Sequence, residues 1–200
     1  MSHIAPADIE RVMEVSARLF AECGYDGVGI RQISEESGVK TSSIFYHFGS
    51  KAKLYGEIVE SKLGGVIEMV RQAIKSLHHP DQKMEQILGT LFDALLSDRI
   101  TLLLLQRDIV SASSSRHPAA ASDKRINFIS LSEKLLEAAF ERPEERRVAF
   151  SLGSLIVGFC GLTAAMKENY SGEEDGQWYA EQRDEIIAVM VAMGKQVRRI

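Results

Sequence analysis

The chain has 200 residues, of which 45% are hydrophobic and 26% are charged, as is ordinary for a globular protein with a substantial core. Its net charge of -4 and pI of about 5.8 exclude a protein that coats nucleic acid through overall positive charge, so any such binding must come from a local patch. Cys23 and Cys160 are isolated, which argues against a disulfide scaffold. With no apolar signal segment before the first helix, these features predict a cytoplasmic protein.

The first predicted helix spans residues 7–23 and ends at Gly24, a residue that readily leaves helical geometry. Asp26 and Gly27 then predict a turn. One face of the helix is apolar and is expected to pack in the core: Ile9, Val12, Met13, Ala17 and Phe20.

Residues 29–48 predict two short helices joined by a tight turn. The first begins at Ile30 and places Ile33 on the same face. Gly38 can end it with a positive φ, and Val39 is a single apolar residue inside the turn. This is the pattern of a helix-turn-helix, which places its second helix in the major groove of DNA.

The second short helix begins near Thr41, and either Thr41 or Ser42 is expected to cap it by accepting a bond from a free backbone N–H. Its spacing predicts a packing face formed by Ile44, Phe45 and Phe48. A second stripe, turned mostly away from the first, carries groups that can bind base edges or phosphate oxygens: Ser42, Ser43, Tyr46 and His47.

Ser50 is a good cap for the next helix, and Lys51 and Lys53 fall in its first turn. Positive charge there opposes the helix dipole, a conflict that a DNA phosphate would relieve. Residues 38–53 hold three lysines and no acid, so they form a cationic patch in an acidic chain. The alternative, two bundle helices with a solvated face, is disfavoured because the turn, the polar stripe and the lysines agree.

The segment over residues 7–60 resembles the N-terminal DNA-binding domain of the tetracycline-repressor (TetR) family of bacterial regulators. The resemblance includes the preceding helix, the sequence HF-x-S-K from His47 to Lys51, and Leu54. It implies DNA contacts from seven residues: Arg31, Thr41, Ser42, Ser43, Tyr46, His47 and Lys51.

Two residues depart from the family pattern. Gly29 stands where the family usually has a capping Thr or Ser, and Phe45 stands where it often has a Tyr whose phenol reaches a phosphate. Both changes remove an expected contact with the DNA backbone, so DNA affinity is expected to be lower or to depend more on Lys51. Neither change threatens the fold.

The rest of the chain also predicts helices, with no strand pattern and no repeat. A helix over residues 51–77 crosses Gly64 and Gly65, where a kink is plausible. The fold class is therefore all-α, with an N-terminal three-helix domain over residues 1–50, extended by the next helix to about residue 60, and a larger bundle over residues 51–200 for ligand binding and dimerisation. Five further helices are predicted over residues 82–97, 100–113, 120–141, 144–169 and 178–198. Together with the three N-terminal helices and the helix over residues 51–77, the chain is expected to contain about nine helices.

Residues 148–166 carry no charge and are long enough to span a bilayer. They contain several small or polar residues, including Ser151 and Thr163, which weaken insertion and favour close helix packing. We therefore expect a buried interface helix and no membrane partner.

A helix-turn-helix that reads a two-fold operator needs a second copy, so a homodimer is expected. The last two helices are the candidates for the interface, and in the resembled family they form a four-helix interface. A packing role inside one chain is the alternative. The candidate interface residues are Gly153, Ser154, Gly158, Gly161, Ile187, Met190 and Val191.

The resemblance also implies a pocket for a small-molecule effector inside the bundle. Gln106 and Arg107 are polar groups in an otherwise apolar helix and could orient a ligand. An Arg107 that pairs with an acid or faces water is slightly favoured, because residues 102–105 cannot all face inward. The candidate lining residues are Phe92, Leu95, Leu103, Gln106, Arg107, Phe128, Phe159 and Met166.

The sequence thus predicts a dimeric, ligand-responsive regulator that binds double-stranded DNA, with repression favoured over activation. No nucleotide, hydrolase or metalloprotease motif supports an enzyme, and no cofactor is expected. His78 and His79 lack further ligands for a metal site. The alternative outside DNA binding is a helical protein-interaction module.

Overall fold

The computed structural model describes residues 5–111, 128–169 and 175–197, and this part of the chain contains nine α-helices and no strand. The all-α fold class predicted from the sequence is confirmed. In chain order the helices are α1 Pro6–Gly27, α2 Ile30–Ser37, α3 Thr41–Phe48, α4 Lys51–Ile74, α5 Pro80–Ser97, α6 Arg99–Ser111, α7 Phe128–Ala139, α8 Pro143–Asn169 and α9 Asp175–Val197.

The described residues fall into two compact units. The first unit holds those up to Gly64 and those from Leu103 to Ser130; the second holds Gly65–Leu102 and those from Leu131 onward. Consequently α4, α6 and α7 each contribute to both units. The boundary predicted at residue 50 lies directly before the start of α4 at Lys51, whereas the first unit also takes in about half of α4 and most of α6.

The helix α4 continues through Gly64 and Gly65, where the sequence allowed a kink. A glycine inside a helix costs about 1 kcal/mol relative to alanine. The buried side chains that flank the pair, Leu63, Val66 and Ile67, favour the helix through tertiary packing, which contributes more than propensity does.

In the first unit α1 breaks at Gly24, as the sequence predicted. This residue has φ 75° and ψ 169°, which is a conformation open essentially to glycine alone. A Cβ atom at Gly24 would also lie 2.9 Å from an Arg107 guanidinium nitrogen, so a side chain there would require that guanidinium to shift.

The same guanidinium completes the end of α1. Arg107 Nε donates to the carbonyl of Ala21 at 2.8 Å, and its Nη2 donates to the carbonyl of Glu22 at 2.7 Å. The last carbonyls of a helix have no partner within the helix, and a cation at that end also complements the dipole. An α6 side chain therefore caps α1 from 86 residues away.

In the second unit α5 packs against both α8 and α9, which also contact each other. Gly194 permits the close approach of α9 to α8, because a Cβ atom at this position would lie 3.2 Å from a side-chain carbon of Val148. The α9 residue Arg183 forms a two-pronged ion pair with Asp93 on α5, at 2.5 and 2.6 Å.

The apolar part of α8 is the predicted interface helix. Pro143–Thr163 is long and apolar enough to cross a membrane by length and composition, with a mean hydropathy of 1.2. Within the second unit one face of this helix is buried against the neighbouring helices: Ala149, Leu152, Ile156, Val157 and Cys160.

Candidate nucleic-acid interface

The position of α2 is fixed by two arginines of α1. Arg11 Nε donates to the carbonyl of Ser37 at 2.6 Å, at the end of α2. Arg18 pairs with Glu36 at 2.5 Å and holds the pKa of that carboxyl below its ordinary value. Because α2 has only eight residues and cannot be stable alone, contacts of this kind determine where it lies.

The turn between α2 and α3 has the geometry that the sequence predicted. Gly38 adopts φ 69° and ψ 10°, the left-handed conformation, and Val39 is buried. The hydroxyl of Ser34 donates to the carbonyl of Val39 at 2.7 Å, and Ser37 Oγ accepts from the backbone N–H of Val39 at 3.3 Å. These bonds hold the angle at which α3 leaves the turn.

The cap predicted for α3 is wrong. Lys40 is the N-cap residue, and its side chain makes no capping bond, so neither Thr41 nor Ser42 performs that role. Both fall inside the first turn because the carbonyl of Lys40 already accepts from the N–H groups of Ser43 and Ile44. An N-cap side chain must precede the N–H groups that it serves.

The packing face of α3 is narrower than predicted. Ile44 and Phe48 are buried, with 1% and 3% of their surface exposed, whereas Phe45 is 46% exposed. Successive residues of a helix differ in direction by about 100°, so Phe45 points well away from Ile44. The assignment of Phe45 to the packing face is therefore corrected, and its ring lies beside the polar stripe.

The polar stripe itself is accessible. Ser42 and His47 are exposed, Tyr46 is 64% exposed, and Thr41 and Ser43 are half-buried. Arg31 on α2 is also exposed. The ring of His47 packs edge-on against buried Phe48, with centroids 4.6 Å apart, which orients the imidazole outward from its anchor.

The start of α4 carries the predicted cap and an unpredicted aromatic contact. Ser50 Oγ accepts from the backbone N–H of Lys53 at 3.2 Å, which confirms the cap. Lys51 Nζ lies over the ring of Tyr25, 4.2 Å from its centroid. Burial lowers the pKa of Lys51 from its ordinary value, and nearby Asp26 partly opposes that shift.

The residues predicted to line a bundle pocket are divided between the two units. Phe92 is buried and stacks on half-buried Phe159 with centroids 5.8 Å apart in the second unit, where Leu95 is also buried. Leu103, Gln106 and Arg107 belong to the first unit. Two Arg107 donors already bind α1 carbonyls. The side chains of Phe128 and Met166 lie outside the described residues.

Part of the predicted dimer surface is buried inside one chain. Gly153 faces Leu91, and Ile187 and Val191 are 4% and 7% exposed, so these three residues already pack against their own unit. The other predicted residues are accessible in part: Ser154 and Gly158 are exposed, and Gly161 and Met190 are half-buried. The large apolar side chains that α8 and α9 do expose are Leu155, Leu162, Val189 and Met193.

Within the described residues no three His, Cys, Asp or Glu side chains are grouped to hold a metal ion. Cys160 is fully buried, and desolvation raises the pKa of its thiol to about 12, which keeps the thiol protonated and unreactive. Cys23 is exposed. Neither cysteine is paired in a disulfide.

Two short helices that meet at a pinned turn, with a hydrogen-bonding stripe exposed on the second, define a helix-turn-helix DNA-binding protein. Residues 12–58 match the family model for bacterial regulatory proteins of the tetR family. The N-terminal region of the chain therefore carries a DNA-binding domain like that of these transcriptional regulators.

Similar proteins match the chain over more residues than this family model does. Over 137 residues it is 20% identical to the HTH-type transcriptional repressor KstR2 of Mycobacterium tuberculosis, a match that covers 66% of this chain and 68% of that repressor. A transcriptional regulator from Rhodococcus sp. Rha1 has the same fold, with a TM-score of 0.69, 16% identity and coverage of 94% and 96%. The regulator FadR of Bacillus subtilis, solved in complex with stearoyl-CoA, has a TM-score of 0.64, 14% identity and coverage of 91% and 97%.

Proposed function

We propose that this protein is a cytoplasmic homodimeric repressor that binds a two-fold DNA operator and releases it when a small molecule binds the C-terminal region. The observation that carries the proposal is the outward stripe of α3. Tyr46 and His47 are exposed on a helix whose opposite face is anchored by buried Ile44 and Phe48. An exposed hydrogen-bonding face on a rigidly seated helix is what major-groove reading requires.

The proposed DNA contacts are of two kinds. Tyr46 and His47, together with the serines, lie on the face that would enter the groove, where they can reach base edges or phosphates. Lys51 would bind a phosphate and so contribute to affinity without reading sequence. The full set is Arg31, Thr41, Ser42, Ser43, Tyr46, His47 and Lys51.

Dimerisation is proposed through α8 and α9. Leu155 and Leu162 are seven residues apart on α8, a spacing that places them on one stripe, and both are more than half exposed. Val189 and Met193, four residues apart on α9, repeat the arrangement. Water-exposed apolar stripes on two adjoining helices are expected to be covered by a second copy.

An effector is proposed because the relatives include a named repressor and a regulator solved with a ligand. Stearoyl-CoA in the FadR complex makes acyl compounds the first class to test here. The apolar pair of Phe92 and Phe159 in the second unit would suit such a ligand. The effector would weaken DNA binding by binding preferentially to a dimer whose two DNA-binding domains are wrongly spaced for the operator. The coupling free energy between effector binding and DNA binding would be on the order of 1–3 kcal/mol.

The proposal is tested by selecting fragments of the source genome with the full-length protein and titrating the recovered duplex at several salt concentrations. We expect one enriched sequence with two-fold symmetry and an affinity that falls steeply with salt. A scrambled duplex of equal length is the control. A helical protein-interaction module would instead enrich no sequence and show no salt-dependent affinity, and that result would overturn the proposal.

A further inference from the structure

Tyr25 occupies an unusual place beside the proposed DNA-binding surface. It follows the break at Gly24, so its ring leaves the direction of α1 and joins an aromatic cluster formed with Phe20 and Tyr55. The centroids of Tyr25 and Tyr55 are 5.4 Å apart at an interplanar angle of 76°, and those of Tyr25 and Phe20 are 6.0 Å apart. Two packed neighbours therefore fix the orientation of this ring.

The face of that fixed ring is covered by Lys51. The distance of 4.2 Å between Lys51 Nζ and the ring centroid is well within the range of a cation–π contact. Among the described residues Lys51 forms no ion pair, although Asp26 is close enough to affect its pKa. The aromatic ring is thus the contact that determines where the ammonium group lies.

This arrangement suits a lysine that must receive a phosphate. A free lysine side chain samples many rotamers and loses that freedom when it binds an anion. A ring face holds the ammonium group by electrostatic attraction but accepts none of its N–H donors in a conventional hydrogen bond. The donors therefore stay available to an oxygen anion on the side away from the ring.

We propose that Tyr25 is a positioning residue that holds Lys51 ready for a DNA phosphate. The inference rests on the proposed function, because it takes Lys51 to be a phosphate contact. It goes further in assigning a role in DNA affinity to a residue outside the recognition helix and the turn. Partial burial of Lys51, which lowers its pKa, is consistent with an ammonium group that is already in part desolvated before DNA arrives.

Lys53 provides a matched comparison. It lies two residues further along the first turn of α4, is exposed, and is in contact with no aromatic ring among the described residues. If Tyr25 acts through Lys51, its removal must alter what Lys51 contributes and leave the contribution of Lys53 unchanged.

The test is a pair of double-mutant cycles in the full-length protein, with one duplex that the unaltered protein has selected from a random-sequence pool. We expect Tyr25→Phe to bind within about twofold of the unaltered protein, because the ring face remains, and Tyr25→Leu to bind about threefold more weakly. Lys51→Met is expected to weaken binding about fivefold and to reduce the slope of log affinity against log salt by about 0.9. In the Lys51→Met background Tyr25→Leu should have no further effect, whereas in a Lys53→Met background its threefold effect should persist.

A second measurement reports on the contact without DNA. The ring current of Tyr25 should shift the NMR signals of the Lys51 ε-methylene protons upfield in the unaltered protein and in Tyr25→Phe. The shift should vanish in Tyr25→Leu.

Each contrary result has a separate meaning. If Lys51→Met binds DNA normally, the phosphate contact in the proposed function fails and the role of Tyr25 fails with it. If Lys51→Met is impaired but Tyr25→Leu is not, only the role of Tyr25 is overturned. If Tyr25→Leu is equally harmful with and without Lys51, its effect is a general loss of stability, and the positioning role is also overturned.

Discussion

The exposed faces of α3 and α8 differ in chemistry although both helices are seated on buried apolar residues. On α3 the exposed face presents a hydroxyl, a phenol and an imidazole at Ser42, Tyr46 and His47. On α8 it presents the alkyl side chains Leu155 and Leu162. The buried faces explain how each helix is held, but only the exposed faces distinguish a partner rich in hydrogen-bonding groups from a partner rich in apolar surface.

The two helices also differ in how much they depend on their surroundings. With eight residues, α3 is too short to be stable alone, and its geometry depends on Ile44, Phe48 and the turn before it. With 27 residues, α8 packs against two other long helices over much of its length. Substitutions should therefore affect folding most at the anchors of α3, and assembly most at the exposed stripe of α8.

The largest effect is expected from Phe48→Ala. This change leaves a cavity under α3 and should lower the free energy of unfolding by about 3–5 kcal/mol, measured by urea denaturation. Phe45→Ala is the matched control, because that ring is nearly half exposed and should cost less than about 1 kcal/mol. Equal losses from the two substitutions would mean that Phe45 is a packing residue after all.

The next effect concerns assembly. Leu162→Glu should weaken the proposed homodimer about 100-fold, because a carboxylate would be desolvated without a partner in the interface. Sedimentation equilibrium measures the change. Met69→Glu on α4, where the methionine is also about half exposed, should leave the oligomeric state unchanged. A dimer that tolerates Leu162→Glu would place the interface elsewhere.

A smaller effect is expected for the groove-facing residues. Tyr46→Ala or His47→Ala should weaken operator binding by about 1–3 kcal/mol while the dimer and its melting temperature are retained. Gel-shift titration of the selected duplex measures the affinity. His78→Ala, another exposed histidine, serves as the control. If neither Tyr46→Ala nor His47→Ala changed the affinity, these two residues would not be DNA contacts.

The smallest effect is expected at Gly29. This residue is the N-cap of α2, makes no side-chain bond there and has no atom within 4 Å of a Cβ position. Gly29→Ser should therefore add a cap and stabilise the protein by a few tenths of a kcal/mol, roughly, in thermal denaturation. Gly29→Ala adds the Cβ without the hydroxyl and should give no gain. A gain from alanine as large as that from serine would show that capping is not its cause.

The sequence predicted the features that depend on local chemistry. The helix-ending role of Gly38, the buried position of Val39 and the cap at Ser50 are confirmed, because each follows from a residue and its immediate neighbours. The all-helical class is confirmed for the same reason, since apolar spacing of 3.6 residues recurs along the chain.

The features that depend on distant or marginal contacts were not predictable. Phe45 lies at the edge of an apolar stripe, where periodicity alone cannot decide whether a residue is buried. Nothing in the sequence near Tyr25 indicates that it stacks with Tyr55 or lies under Lys51. The spacing of apolar residues along α9 likewise cannot show whether Ile187 packs inside its own chain or against a second copy.

The guanidinium that finishes α1 has a consequence for how the protein is made. Its residue, Arg107, leaves the ribosome long after Ala21 and Glu22, whose carbonyls it satisfies. The nascent N-terminal helices must keep those carbonyls hydrated until most of α6 has been translated. A truncated chain that ends near residue 64 would therefore contain an α1 whose C-terminal end is frayed. The N-terminal helices become fully ordered only after Arg107 has been translated.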